Sequence, residues 1–170
     1  SVTPGTSVLV RGERIVRVMP DQQLEPEIKS GGGTHIIDAG GRFLMPGLWD
    51  CHAHIDGVDG MLNIANGVTS ARDLGNDTDV FPRRVARFDA STEIGPRVLK
   101  AGIIDGKGPN AGPFKTLVDT AAQAVEVVDW YADHGYVQIK TYMSLEPELV
   151  QIIADRAHER GLRVSGHVPA

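Results

Sequence analysis

One cysteine, Cys51, stands in 170 residues, so no disulfide forms within the chain. A lone cysteine says little about compartment. Positive charge is also short. Lys and Arg number 17 against 22 Asp and Glu, for a net charge of −5. Nucleic-acid binders show a basic footprint, so no nucleic-acid partner is expected. No apolar run approaches the length that crosses a bilayer, so no membrane partner is expected either. Ser1-Val2-Thr3-Pro4 lacks the basic start and apolar centre of a signal peptide. A leader removed before Ser1 fits as well, so cytoplasmic and exported locations both stay open. Repeats are lacking, and so is low complexity beyond Gly31-Gly32-Gly33.

What is present suffices for a core. Apolar residues make up 41% of the chain, an ordinary share for a globular protein. The length holds one domain, or a small domain plus part of a larger one. "SVLV" and "RIVRV" flank Arg11-Gly12-Glu13-Arg14 and predict a hairpin. Residues 21–33, rich in Pro, Glu and Gly, predict a surface loop. "THIID" predicts a third strand. Residues 1–45 thus form one expected domain, a small β-unit that looks unfinished.

Residues 46–170 form the second. From Phe43 onward, short apolar runs alternate with helical patterns. Strands are expected in "FLMPGLWDCHAHI", "VTSARDLG", "RVLKAGIID", "YVQIKTYM" and "RVSGHVP". Helices are expected in "MLNIANG", over 79–92, over 117–134 with Gly135 as its stop, and from a Ser144 cap to Gly161. Strict alternation implies a parallel sheet with right-handed crossovers. Five strands fall short of the eight that close a barrel.

Three of these strands end in residues with ligand chemistry. His52 and His54 have spacing two, which puts both imidazoles on one strand face. Such a pair suits zinc or a related metal, though two exposed loop histidines fit the same spacing. Their place at a strand's C-terminal end favours a site. Lys140 closes "VQIK". A protonated lysine has no acceptor, but desolvation favours the neutral amine, which adds carbon dioxide to form a carbamate. A solvated strand-end lysine is the plainer alternative. His167 ends the last strand and reads equally as a turn histidine before Pro169. Asp50 shares the histidine face and is a candidate to orient a ligand. Cys51 points to the other face, where packing is expected. Tyr142 shares the face of Lys140. His35, His134 and His158 take structural roles. Residues 105–114, "DGKGPNAGPF", predict a long loop that can line a pocket.

These segments together resemble the amidohydrolase superfamily of metal-dependent hydrolases, nearest its imidazolonepropionase-like and prolidase-like group. "FLMPGLWDCHAHI" resembles its first barrel strand, "GVTSARDLG" its second, "IKTYMS" its carbamylated-lysine strand and "SGHVPA" its fifth. "VLVRGERIVRV" and "IIDAGGRFLMPG" resemble its small β-sandwich. The resemblance implies an α/β fold, a partial (β/α)8 TIM barrel of strands 1–5 preceded by part of a β-sandwich. It implies two Zn2+ ions, with other divalent metals possible. His52 and His54 would hold the first ion, carbamylated Lys140 both, and His167 the second. Metal-activated hydroxide would then cleave a carbon–nitrogen bond in a small amide, peptide or cyclic amide. The superfamily pattern adds a strand-six histidine and a catalytic strand-eight aspartate. Neither falls within these residues, so the chain is expected to be an incomplete portion, inactive alone. It would be a homo-oligomer or associate with the missing barrel portion.

Two other readings compete. One is a non-catalytic half-barrel serving assembly or binding. The other is an open nucleotide-binding sheet, disfavoured because no strand leads into a glycine-rich phosphate turn.

Overall fold

The structure is a computed structural model that describes residues 3–30, 33–109, 111–112 and 116–169. The chain divides into two units, Ser1–Met45 and Pro46–Ala170.

In the first unit, β1 (Thr6–Arg11) and β2 (Arg14–Pro20) pair antiparallel. Gly12 turns the hairpin at φ +59°, a conformation that costs glycine no Cβ clash. Residues 21–30 are not the expected loop. They form helix α1 (Asp21–Ser30), with Pro26 inside it. Asp21 starts this helix with an acid at its N-terminus. Its N–H donates to the Gly5 carbonyl, and its Oδ1 accepts from Ser7 Oγ at 2.5 Å. Leu24 and Met19 are both buried. Anchored apolar burial outweighs the proline signal here. The strand expected at "THIID" does not form either. Ile36 and Ile37 are exposed, and no described neighbour offers that segment a hydrogen-bonding ladder. Gly31 and Gly32 lie outside the described residues.

The second unit alternates as expected. Its elements are β3 (Leu48–Ala53), α2 (Asp59–Ala65), β4 (Val68–Asp73), α3 (Phe81–Asp89), β5 (Arg97–Gly106), β6 (Leu117–Val118), α4 (Ala121–Asp133), β7 (Gln138–Thr141), α5 (Pro147–Glu159) and β8 (Arg163–Gly166). The sheet order is β3-β4-β5-β7-β8, all parallel, with the two-residue β6 paired to β5. These five strands curl into half of a (β/α)8 barrel. A parallel order of this kind brings the C-terminal ends of successive strands to one rim.

Helices α3, α4 and α5 each bury one face. Phe81, Val85 and Phe88 of α3 pack with Ala53, Ile55 and Ala71. Val128, Tyr131, Leu149 and Ile153 of α4 and α5 pack over Ile104 and Ile139. Glycine lets one packing contact form: a Cβ at Gly102 would lie 2.4 Å from the Tyr131 ring. The Tyr131 hydroxyl donates to the Ile103 carbonyl at 2.9 Å, so the buried phenol is satisfied.

Helix starts differ from expectation in two places. Leu117 and Val118 join the sheet as β6, and Thr120 caps α4 by accepting from the Gln123 N–H. Ser144 does not cap α5. Glu146 occupies the cap position and Pro147 the first helical one, where its missing N–H is harmless. Gly135 and Gly161 end α4 and α5 at φ +72°, as the sequence predicts. No helix among the described residues is long and apolar enough to cross a membrane.

Candidate functional site

β3 carries His52, and His54 follows its last residue. Their rings lie 5.5 Å apart, edge to face, and both residues are exposed at the rim. With Asp50, Asp59 and Asn63 they line a depression of about 270 Å3. His54 Nδ1 lies 2.7 Å from the Gly75 carbonyl oxygen. A carbonyl has no proton to give, so Nδ1 is the donor, and in the neutral ring Nε2 is the nitrogen with the free lone pair. That is the second bond a metal-ligating imidazole commonly makes.

The His52 imidazole is held below the ordinary histidine range. Desolvation contributes most, then the positive charges of Lys140, His54 and Arg72, while Asp50 opposes them. The neutral ring is the form that binds metal. Asp50 does not hold an imidazole, as the shared face suggested. It accepts from the His52 backbone N–H at 2.9 Å and fixes the strand end instead. Cys51 is exposed, so the packing expected of it does not occur. Its carbonyl accepts from Arg72 Nε at 2.9 Å.

Lys140 lies on β7, which is buried along its whole length, and is 6% exposed. Burial first, and then the Arg72 guanidinium, lower its pKa. The amine is thereby moved toward its neutral, nucleophilic form. Lys140 pairs in register with Ser165 of β8. Two residues past Ser165, exposed His167 takes its place, its N–H donating to the Thr141 carbonyl. The His167 ring lies 4.5 Å from Tyr142. The structure therefore places His52 and His54 side by side, with Lys140 close enough to lower the His52 pKa, and His167 just past the strand beside that of Lys140, against Tyr142. His134 is structural, as expected. It stacks on Trp130 at 3.9 Å and its Nδ1 bonds the Trp130 carbonyl at 2.7 Å.

The donors present suit a metal ion only in part. Among the described residues no three His, Cys, Asp or Glu side chains gather into one cluster. Two imidazoles with one Nε2 already freed are a good start. A further ligand would have to come from a group other than these two imidazoles.

Two buried carboxylates went unassigned in the sequence reading. Asp73 ends β4 and accepts from the Ile55 N–H, the Gly75 N–H and Asn76 Nδ2. Burial raises its pKa against those hydrogen bonds and the nearby His54 charge. Asp105, fully buried near the end of β5, accepts from the Gly106, Gly112 and Ser144 N–H groups. Of residues 105–114, Gly106 and Gly112 are thereby tied to the strand end at Asp105, and Asn110, Pro113 and Phe114 lie outside the described residues. An acid at a strand's C-terminal end, just before a glycine-containing loop, was the available signal for both.

No family model matches the chain. Curated proteins do match part of it. An imidazolonepropionase from Anaeromyxobacter sp. (strain K) is 44% identical over 52 residues, 31% of this chain and 12% of that protein. An adenine deaminase from Paracoccus denitrificans (strain Pd 1222) is 44% identical over 64 residues, 38% of this chain and 10% of that protein. The matched stretch is thus about a tenth of each relative. Among solved structures, bottromycin amidohydrolase superposes with a TM-score of 0.66 at 29% identity, over 73% of this chain and 28% of its own. Molinate hydrolase does so at 0.75 and 16% identity, over 99% of this chain and 50% of its own, a likeness of fold.

Proposed function

The chain is a relative of the amidohydrolase superfamily, and from that premise we propose that it contributes the metal-binding rim of a hydrolase cleaving carbon–nitrogen bonds. The substrate class is a small amide, peptide or cyclic amide. One observation carries the reading. A nine-tenths-buried lysine sits near one strand end, three strands along the sheet from the strand that leads into the His-x-His pair. Nothing in the packing of a half-barrel requires a lysine there, and an apolar residue would be cheaper to bury.

His52 and His54 would hold one divalent ion, zinc in the first instance, and Lys140 would join them as a carbamate. The Lys140 nitrogen adds to the carbon of carbon dioxide and loses one proton to solvent, leaving two anionic oxygens. His167 would hold a second ion beside it. When bound, such ions polarise a substrate carbonyl and activate water. The chain's own residues do the rest. Gly75 sets the tautomer of His54, Asp50 fixes the strand end beneath His52, and Tyr142 packs the ring of His167. Edge strand β3 exposes Leu48 and Trp49, and such an edge invites association. Self-association, or association with further barrel strands, is part of the proposal.

The test is 13C NMR of the chain with labelled bicarbonate and zinc. A carbamate resonance that needs zinc, and that Lys140→Ala abolishes, is expected. Zinc bound with Lys140 still an unmodified amine contradicts the reading.

A further inference from the structure

One well-connected buried group near the rim, Asp73, is not one of the ligand candidates. Asp73 is 1% exposed, and both of its oxygens are occupied. Oδ2 accepts from the Ile55 N–H at 2.7 Å and from Asn76 Nδ2 at 3.1 Å. Oδ1 accepts from the Gly75 N–H at 3.1 Å. Both backbone partners touch His54. Ile55 is its neighbour in the chain, and the Gly75 carbonyl is what its ring donates to. One carboxylate thus holds the backbone that carries the imidazole and also the acceptor that orients it. Asn76 tightens the same knot by donating to the Ile55 carbonyl at 2.8 Å.

An ordinary loop anchor does not need this. Taking a carboxylate out of water is expensive, and a neutral acceptor could hold one N–H. Three donors converging on one side chain do need it, because a carboxylate has two acceptor oxygens and no hydrogen of its own. An amide in its place would turn an NH2 group against one of the backbone N–H groups. Gly75 adds to the constraint. Its φ of +137° suits glycine, and a Cβ there would meet Ile103 at 2.8 Å. The carbonyl offered to His54 therefore has one available place.

We infer that Asp73 is a positioning residue that locks His54 as the Nδ1–H tautomer, with Nε2 presented to the rim. The inference rests on the metal reading above only for its purpose. Its geometry is independent of whether an ion binds.

The test is 15N NMR of the histidine rings in the metal-free chain, followed by zinc titration. Wild-type His54 is expected to show a protonated Nδ1 and a bare Nε2 at neutral pH. Asp73→Asn is expected to mix the tautomers and to weaken zinc binding about tenfold, the lower end of the usual outer-shell loss. His134 has its own carbonyl partner and is expected to stay unchanged. Should Asp73→Asn not fold, Asn76→Ala reads the same network one bond further out. Mixed tautomers and weaker zinc support the inference there too. A protonated Nε2 in the wild type overturns it, as does an unchanged His54 in the variant that folds. Failure of the metal reading looks different: the tautomer still depends on Asp73, but wild-type chain binds no zinc at His52 and His54.

Discussion

At the scale of single residues, burial sets Lys140, Asp73 and Asp105 apart from the histidines, which are all exposed. Six histidines occur in the sequence, and spacing together with a strand-end place picked out His52 and His54. Their rim position agrees with that choice, because residues i and i+2 share a strand face whatever the rest of the fold does. Lys140 was legible as a strand-end lysine. Its burial was not, since that depends on the strands beside it. Asp73 and Asp105 showed only a strand-end acid before a glycine; that they also anchor Ile55 and Ser144, far along the chain, was not legible. Asp105 yields a direct prediction. Asp105→Ala removes the shared acceptor of Gly106, Gly112 and Ser144. Orphaned donors of this kind cost about 1–3 kcal/mol. Hydrogen exchange should speed up at Gly112 and Ser144, and the urea midpoint should fall. Unchanged exchange at both amides would show that the carboxylate does not hold these loops.

At the scale of elements, local pattern decided most outcomes. The alternation of strand and helix from residue 46 onward was read correctly because each segment carries its own periodicity. Pattern failed where a neighbour decides. Helix α1 forms despite Pro26, since Leu24 finds a buried place and Asp21 is tied to Ser7. "THIID" has strand composition, but a strand needs a partner to bond with. The pair α4 and α5 shows what sequence hides even in well-read elements. Arg156 donates to both oxygens of Asp129, and Arg160 bonds Asp129 and Asp133. The two guanidinium groups hold the Asp129 carboxyl below its usual range. A carboxylate with a lowered folded-state pKa stabilises above its unfolded pKa of about 4. That contribution fades as pH falls through the lower, folded value. Asp129→Asn should therefore reduce stability at neutral pH and flatten the acid limb of the stability curve. Equal acid limbs in melting curves of the two proteins would mean that the ion pairs contribute nothing.

At the scale of the whole molecule, the account depends on distant parts of the sequence meeting at one rim. His52 and Lys140 are separated by most of the second unit, yet the electrostatic environment of the first includes the charge of the second. A sequence pass can order the strands but cannot curl them. The curl was expected only through the resemblance, and the structure supplies it; on it rests the proposal that three strand-end motifs serve one centre. Diffraction at the zinc absorption edge from crystals grown with zinc and bicarbonate tests this most directly. The account predicts an anomalous peak about 2.0–2.1 Å from a ring nitrogen of both His52 and His54, with carbamylated Lys140 as a further ligand. Zinc bound elsewhere, with His52, His54 and a bare Lys140 left apart, would contradict it.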